Sequence, residues 1–143
     1  MTVLPVDATD AEILAVCREW MERVAAGDVE GAIEMLHVPE RYDESQRWTV
    51  GSLVRYVGNY GSWDARPDGR TWRITSPATA LTPADRRDFR PTAEVVRHPT
   101  DPRSGSVDVD LPLDGEWSDL TALFEFEPVE GGIGLSLYDV HVL

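Results

Sequence analysis

Residues 119–143 read DLTALFEFEPVEGGIGLSLYDVHVL, and this stretch predicts an antiparallel β-hairpin. Apolar and polar residues alternate on both sides of the EGG turn, where glycine supplies the positive φ that a tight turn requires. Pairing across the turn brings two phenylalanines and two leucines to one face of the sheet, namely Phe124, Phe126, Leu135 and Leu137. Because a shift of one residue would destroy this match, the pattern specifies the register of the hairpin.

The end of the last strand departs from this pattern. After Leu137 the apolar side continues with Asp139 and His141, a carboxylate and an imidazole two residues apart. In one interpretation both line a pocket, where Asp139 orients His141 as a general base and the two are the catalytic residues. In the other, a β-bulge near Asp139 changes the register and turns Val140 and Val142 inward instead.

The first part of the chain has helical periodicity. Thr9 and Glu12 form a capping box, and the helix that follows ends at Gly27, which permits a left-handed cap. The apolar stripe of this helix comprises Ile13, Val16, Trp20 and Val24. Asp28 is expected to cap a short second helix, and the segment SLVRYVGNYG predicts a third helix with Ser52 as its cap.

From Arg70 onwards the period of the apolar residues changes to two. The predicted strands are TWRIT, TAEVVRH, SVDVDLPL, DLTALFEFEPV and GIGLSLYDVHVL, and prolines and glycines separate the earlier ones. A helical half, about 9–62, thus precedes a strand-rich half, about 70–143. This order predicts one α+β domain, residues 1–143, with N-terminal helices packed on one face of a curved antiparallel sheet.

The charge of the chain is strongly negative and unevenly distributed. A formal net charge of −13 argues against nucleic acid as a partner, because a phosphate backbone requires a basic surface. No Arg or Lys follows Arg103, which is typical of a solubilising surface or of a docking surface for a basic protein. The candidate partner-binding residues are Asp108, Asp110, Asp114, Glu116, Trp117, Asp119, Glu125 and Glu127.

Several other classes of protein are not indicated. Cys17 is the single cysteine, so it forms no internal disulfide, and we expect a small buried hydrophobic side chain. The three histidines lack the spacing of metal ligands and no glycine-rich phosphate loop is recognisable, so we predict neither a metal nor a cofactor. No apolar run is long enough to cross a membrane and no secretory signal is recognisable, so we expect a cytoplasmic protein without a membrane partner.

The segment REWMERVAAGDVEGAIEML is an amphipathic helix, a Gly-Asp turn and a second helix, and it resembles the opening of the nuclear transport factor 2-like superfamily. The order of a helical half and long curved antiparallel strands is similar across nearly the whole chain. The resemblance implies a cone-shaped fold whose helices cap a bent sheet and leave a cavity, with a small apolar molecule as an expected ligand. It further implies that the helical side of this cavity is lined by Tyr56, Tyr60, Trp63 and Asp64.

The run GEWSDLTALFEFEPVEGGIGLSLYDVHVL also resembles small bacterial domains, some of them similar to immunity proteins of toxin systems. Together with the acidic second half, this favours a non-catalytic binding domain that neutralises a basic partner. The alternative is an isomerase-, cyclase- or dehydratase-like cavity enzyme, or a small-ligand-binding protein, of the nuclear transport factor 2-like type that uses Asp139 and His141. A third hypothesis is a homodimer paired through its sheet, which like-charge repulsion disfavours.

Overall fold

The computed structural model describes residues 1–143 and has three helices packed against a four-stranded antiparallel sheet. The helices are α1 (Asp10–Ala25), α2 (Val29–Glu34) and α3 (Val50–Gly58), with a short 3-10 helix at Glu44–Gln46. The strands are β1 (Ala93–His98), β2 (Asp101–Leu113), β3 (Glu116–Val129) and β4 (Gly132–Val142), and each pairs with its neighbours in sequence. The predicted α+β class, with helices on an antiparallel sheet, is therefore confirmed.

The helices begin where side chains accept their first free N–H groups. The capping box of α1 forms as predicted, since Thr9 Oγ1 accepts the Glu12 N–H and the Glu12 carboxylate accepts the Thr9 N–H, each at 3.2 Å. Asp28 caps α2 as predicted. The cap of α3 is Thr49 rather than Ser52, because the Thr49 hydroxyl accepts the Ser52 N–H at 3.1 Å and the helix starts one turn earlier. None of the helices has the length and hydropathy that a membrane crossing requires.

The turn end of the β3–β4 hairpin has the predicted register. Phe124 pairs with Leu137 and Phe126 with Leu135, and all four side chains are buried on the face that meets the helices. The indole of Trp20 in α1 meets the ring of Phe124 edge-on, with ring centroids 5.3 Å apart. The apolar stripe of α1 therefore packs on the hairpin through Trp20.

A β-bulge at Tyr138 interrupts this register. Phe124 is paired with Leu137, but the preceding residue on β3, Leu123, is paired with Asp139. Two residues of β4 therefore follow Leu137 where β3 supplies one, and Tyr138 has no partner. Because side chains alternate along a strand, one additional residue exchanges the faces of everything that follows it.

The bulge decides between the two interpretations of the last strand. Val140 points inward and is 0 % exposed, whereas Asp139 and His141 lie on the outer face. The expectation that Asp139 and His141 line an interior cavity is therefore wrong. Val142 does not follow Val140 into the core, because the strand ends there and leaves Val142 45 % exposed.

The space between the helices and the sheet is filled. A single cluster of 23 buried residues joins α1, α2 and α3 to the inner faces of β2, β3 and β4, and the partly buried Val95 of β1 packs against it. Cys17 belongs to this cluster as predicted, and burial raises the pKa of its thiol to about 12, so the thiol is inert at neutral pH. Side chains thus occupy the place beneath the sheet where the family resemblance implied a cavity.

The segment before β1 contains less sheet than predicted. The TWRIT stretch contributes only one isolated bridge, between Ile74 and Leu113. The Thr75 N–H donates to the Pro112 carbonyl at 3.0 Å, but Pro112 has no N–H that could donate to the Thr75 carbonyl in turn. Pro77 follows two residues later and cannot donate either, so the ladder stops after one bridge.

Candidate functional site

The outer face of the sheet carries the alternate residues that do not enter the core. One row of this face crosses all the strands and consists of Glu94 on β1, Asp108 on β2, Leu123 on β3 and Asp139 on β4. We call these residues the acidic row. Neighbouring strands lie about 4.8 Å apart, so three carboxylates and one apolar side chain share a narrow band of surface.

Glu94 and Asp108 stand directly opposite each other in this row, and like charges in that position destabilise a sheet. Burial raises the pKa of the Asp108 carboxyl above its ordinary value, the carboxylates of Glu94 and Asp110 raise it further, and His141 acts in the opposite direction. Neither Glu94 nor Asp108 forms a salt bridge within the chain. This end of the row is an anionic site without a salt-bridged counter-ion.

At the other end of the row, Asp139 holds His141. Oδ2 of Asp139 lies 2.7 Å from Nδ1 of His141, and Oδ1 accepts the Val140 N–H at 2.8 Å. The predicted orientation of the imidazole by the carboxylate is therefore present. The two side chains are 37 % and 39 % exposed on the outer face, so the pair contacts solvent instead of an enclosed substrate site.

Asp110 is a predicted partner-binding residue that the structure buries. It is 6 % exposed, and its carboxylate accepts hydrogen bonds from the Thr121 hydroxyl at 2.7 Å and from the Thr92 N–H at 2.8 Å. These bonds tie the start of β1 to β2 and β3. Asp110 therefore adds negative charge beside the acidic row but offers a partner no free carboxylate, which corrects the expectation.

Glu125 and Glu127 are predicted partner-binding residues that the chain neutralises itself. The guanidinium of Arg41 binds both carboxylates, at 3.1 Å to Glu125 and 2.8 Å to Glu127. The Tyr42 hydroxyl donates to Glu125 at 2.7 Å, and Nε2 of His37 lies 3.0 Å from Glu127. Residues 37–42 cross the outer face here, so these two carboxylates are not a free docking surface.

The remaining predicted partner-binding residues lie at the β2–β3 turn. A surface groove of about 450 Å³ is lined there by Asp114, Glu116, Trp117 and Asp119. Tyr60, predicted as a pocket residue, lines the same groove and donates its hydroxyl to Asp119, while Arg86 lies 3.6 Å from the other oxygen of Asp119. Trp117 is half-buried, and Arg70 and Arg86 also line this groove, so its charge is mixed.

The other predicted pocket residues are not gathered with Tyr60. Tyr56 and Trp63 line a second surface groove, of about 460 Å³, beside the bulge, together with Trp48, Tyr138 and Asp139. The rings of Tyr56 and Trp63 lie 5.8 Å apart between centroids. Asp64 is exposed in the loop after α3 and lines neither groove. The expected common cavity for these four residues does not form, because the core fills the interior.

Sequence reasoning missed two members of the acidic row, Glu94 and Leu123. The signal for Glu94 was present, because it alternates with Ala93 and Val95 in the same way that Asp108 alternates with its apolar neighbours. Its place beside Asp108 depends on the pairing of β1 with β2, and a periodic pattern within one strand does not contain that information.

The chain matches no protein-family model, no curated protein and no solved structure. The similarities to the nuclear transport factor 2-like superfamily and to immunity proteins therefore remain hypotheses from the sequence. An α+β fold supports many functions, so function has to be inferred from specific side chains. The side chains that carry this inference here are those of the acidic row.

Proposed function

We propose that this chain is a non-catalytic binding domain that holds a basic protein on the outer face of its sheet, at the acidic row. The observation that supports the proposal is the opposed pair of Glu94 and Asp108, neither of which forms a salt bridge within its own chain. A guanidinium or ammonium group between them would relieve the repulsion and favour the charged form of Asp108. Neutralisation of a basic toxin is the form of this function that the resemblance to immunity proteins suggests.

The contrast with the neighbouring carboxylates supports the same proposal. On the same face of the sheet, Glu125 and Glu127 share the guanidinium of Arg41 at 2.8–3.1 Å. The chain thus supplies an arginine to one pair of carboxylates and none to the other. Leu123 lies half-buried between Asp108 and Asp139, so a partner would meet an apolar contact flanked by charge, as at the desolvated centre of many interfaces.

The test measures association with the purified basic products of neighbouring reading frames by stopped-flow fluorescence. The double variant Glu94→Gln, Asp108→Asn should lower the association rate about tenfold at low salt and less at high salt, because salt screens the field of the row. The matched control is Glu30→Gln, Glu34→Gln, which makes the same change in net charge at two exposed positions of α2. Equal rates for the two double variants would leave the row with a solubilising role only.

A second candidate function, binding of a small apolar molecule, is supported by a cleft of about 220 Å³ between the helices and residues 72–74. Its lining includes Val24, Leu53, Val57, Trp72 and Ile74. Drug-sized ligands occupy pockets of about 300–1,000 Å³, so only a smaller molecule fits. Indole and benzene are suitable NMR probes, and Val54→Trp, at an exposed lining position, should close the cleft and abolish the shifts.

A further inference from the structure

The two edges of the sheet differ in how they are covered. The free side of β4 is contacted along its length by segments that precede the sheet. Leu4 exchanges two backbone bonds with Ile133, at 2.8 and 2.9 Å, His37 N–H donates to Leu135 O at 2.6 Å, and Trp48 Nε1 donates to Leu137 O at 2.9 Å. Beyond the bulge, Gly61 is so close that a Cβ there would lie 3.0 Å from the Val140 carbonyl oxygen. This edge is closed to another strand.

The opposite edge, β1, pairs with β2 and with no other segment. The Asp110 N–H donates to the Thr92 carbonyl at 2.9 Å, which shows that Thr92 and alternate residues after it direct their backbone groups towards β2. The residues between them, Ala93, Val95 and Arg97, therefore direct their N–H and C=O groups away from the sheet. None of the backbone bonds outside the helices and strands reaches these groups.

We infer that β1 is an acceptor edge, which an extended basic segment of the partner joins as a fifth strand. The inference rests on the proposed function and states how the basic partner is held. A strand added to β1 places a side chain about 5 Å from each outer-face residue of β1. An arginine or lysine beside Glu94 would then reach the opposed pair of Glu94 and Asp108, and the aliphatic stem of a second basic residue two positions away would cover Val96, which is 52 % exposed.

The flanks of β1 limit the length of such a segment. Pro91 and Pro99 bound the strand and cannot donate to an added neighbour. Residues 93–97 therefore offer an edge for about five residues of partner. The expected occupant is a short extended segment in which basic and apolar residues alternate, so that the basic ones share the outer face with Glu94.

A second copy of this chain is a poorer occupant than a basic segment. Two copies would each bring a formal charge of −13, and close approach would bring their acidic rows together. Antiparallel pairing of two β1 strands about Val95 would set Glu94 beside Val96 of the other copy, which leaves the carboxylate uncompensated. Charge complementarity therefore selects the basic segment.

The test uses two synthetic peptides of equal charge, acetyl-RVRVRVR-amide, which favours an extended strand, and acetyl-RPRPRPR-amide, which favours polyproline II and lacks the proline N–H groups. Titration of ¹⁵N-labelled protein should show slowed amide exchange at Ala93, Val95 and Arg97 with the first peptide alone. The dissociation constant of the second should be about tenfold or more higher, since several backbone hydrogen bonds are lost. Equal affinity for both peptides would overturn strand addition.

Two variants test the edge from the protein side. Val95→Pro and Ala93→Pro each remove an N–H that faces away from β2, so the β1–β2 ladder stays intact and thermal unfolding should change little. Either variant should weaken binding of acetyl-RVRVRVR-amide about tenfold. Two proline variants are made because one of them is sufficient for the binding test if the other does not fold.

The outcomes separate this inference from the proposed function. If Glu94→Gln, Asp108→Asn loses the peptide while both proline variants bind it as the wild type does, strand addition is overturned and the acidic row remains a binding site. If all of these variants bind normally, both proposals fall. If the protein without peptide forms a dimer that Val95→Pro abolishes, the basic occupant is overturned in favour of a second copy.

Discussion

Oδ2 of Asp139 and Nδ1 of His141 lie 2.7 Å apart on the outer face of β4, with the buried Val140 between them in sequence. The pair owes its position to the unpaired Tyr138, which shifts every later side chain of the strand to the opposite face. If Tyr138 were paired in a regular register, the same carboxylate and imidazole would point at the hydrophobic core. The bulge therefore keeps two polar groups in contact with water and supplies Val140 to the interior.

Deletion of Tyr138 tests the position of the bulge. Removing the unpaired residue restores strict alternation and places Asp139 directly after Leu137 on the outer face, still opposite Leu123, so Val140 stays in the core and the free energy of unfolding should change by less than about 1 kcal/mol. The measurement is urea denaturation followed by tryptophan fluorescence. Tyr138→Ala keeps the bulge and removes a side chain that is 56 % exposed, so it should change stability by less than about 1 kcal/mol. A loss of about 3 kcal/mol or more on deletion would contradict the bulge at Tyr138, because Asp139 and His141 would then have turned into the core.

Phe124→Ala tests the packing of the hairpin on α1. Phe124 is 1 % exposed and meets Trp20, so its truncation leaves a cavity and should destabilise the protein by about 3–5 kcal/mol. Leu123→Ala is the neighbouring control on the outer face, where the half-buried side chain leaves no enclosed cavity and the loss should be about 1 kcal/mol. A loss below about 1 kcal/mol for Phe124→Ala in the same urea titration would show that this face is not the core.

Asp108→Asn tests the electrostatics of the acidic row. Burial, then Glu94 and Asp110, raise the pKa of Asp108 in the folded protein, so its proton is held more tightly when folded than when unfolded. Stability is therefore lost as the pH rises through the unfolded and then the folded pKa. The variant removes that loss and should raise the free energy of unfolding at pH 7 by up to about 1 kcal/mol, with no gain below about pH 3.5.

The control for this pH dependence is Asp101→Asn. A hydrogen bond from Arg103 lowers the pKa of Asp101, so its contribution to stability is present above the ordinary pKa and is lost at lower pH. The sign of its effect at pH 7 should be opposite to that of Asp108→Asn. Chemical denaturation across the acidic range checks both variants, and a destabilising Asp108→Asn at pH 7 would contradict the unrelieved repulsion in the row.

Tyr42→Phe tests whether residues 37–42 are held on the outer face by their polar contacts. The Tyr42 hydroxyl donates to Glu125 at 2.7 Å from a side chain that is 6 % exposed, and loss of a hydrogen bond to a charged group should destabilise the protein by about 1.5–3 kcal/mol. Tyr138→Phe removes a hydroxyl that is exposed and should have almost no effect. Thermal unfolding of the two variants side by side gives the answer, and equal melting temperatures would show that Glu125 does not hold this segment.

Local periodicity was sufficient to predict the class of fold and the register of the turn end of the last hairpin. The capping box at Thr9 and the change from helical to strand period predict an α+β chain, because these signals depend only on residues close in sequence. The pairing of Phe124 with Leu137 follows likewise from alternation on both sides of one turn. The prediction of Ser52 as the cap of α3 was wrong, because Thr49 accepts the first free N–H instead. The prediction of a TWRIT strand was wrong, because Pro112 has no N–H with which to continue the ladder.

The candidate site depended on contacts between residues far apart in sequence. Composition indicated an acidic second half, but it did not distinguish Glu125, which Arg41 neutralises from 84 residues away, from Asp108, which forms no salt bridge. It also did not place Glu94 beside Asp108, since only the pairing of β1 with β2 brings them together. Composition alone sets how much negative charge the sheet carries. Strand pairing and packing select the carboxylates that remain uncompensated, because Coulomb energy depends on distance in space and on burial.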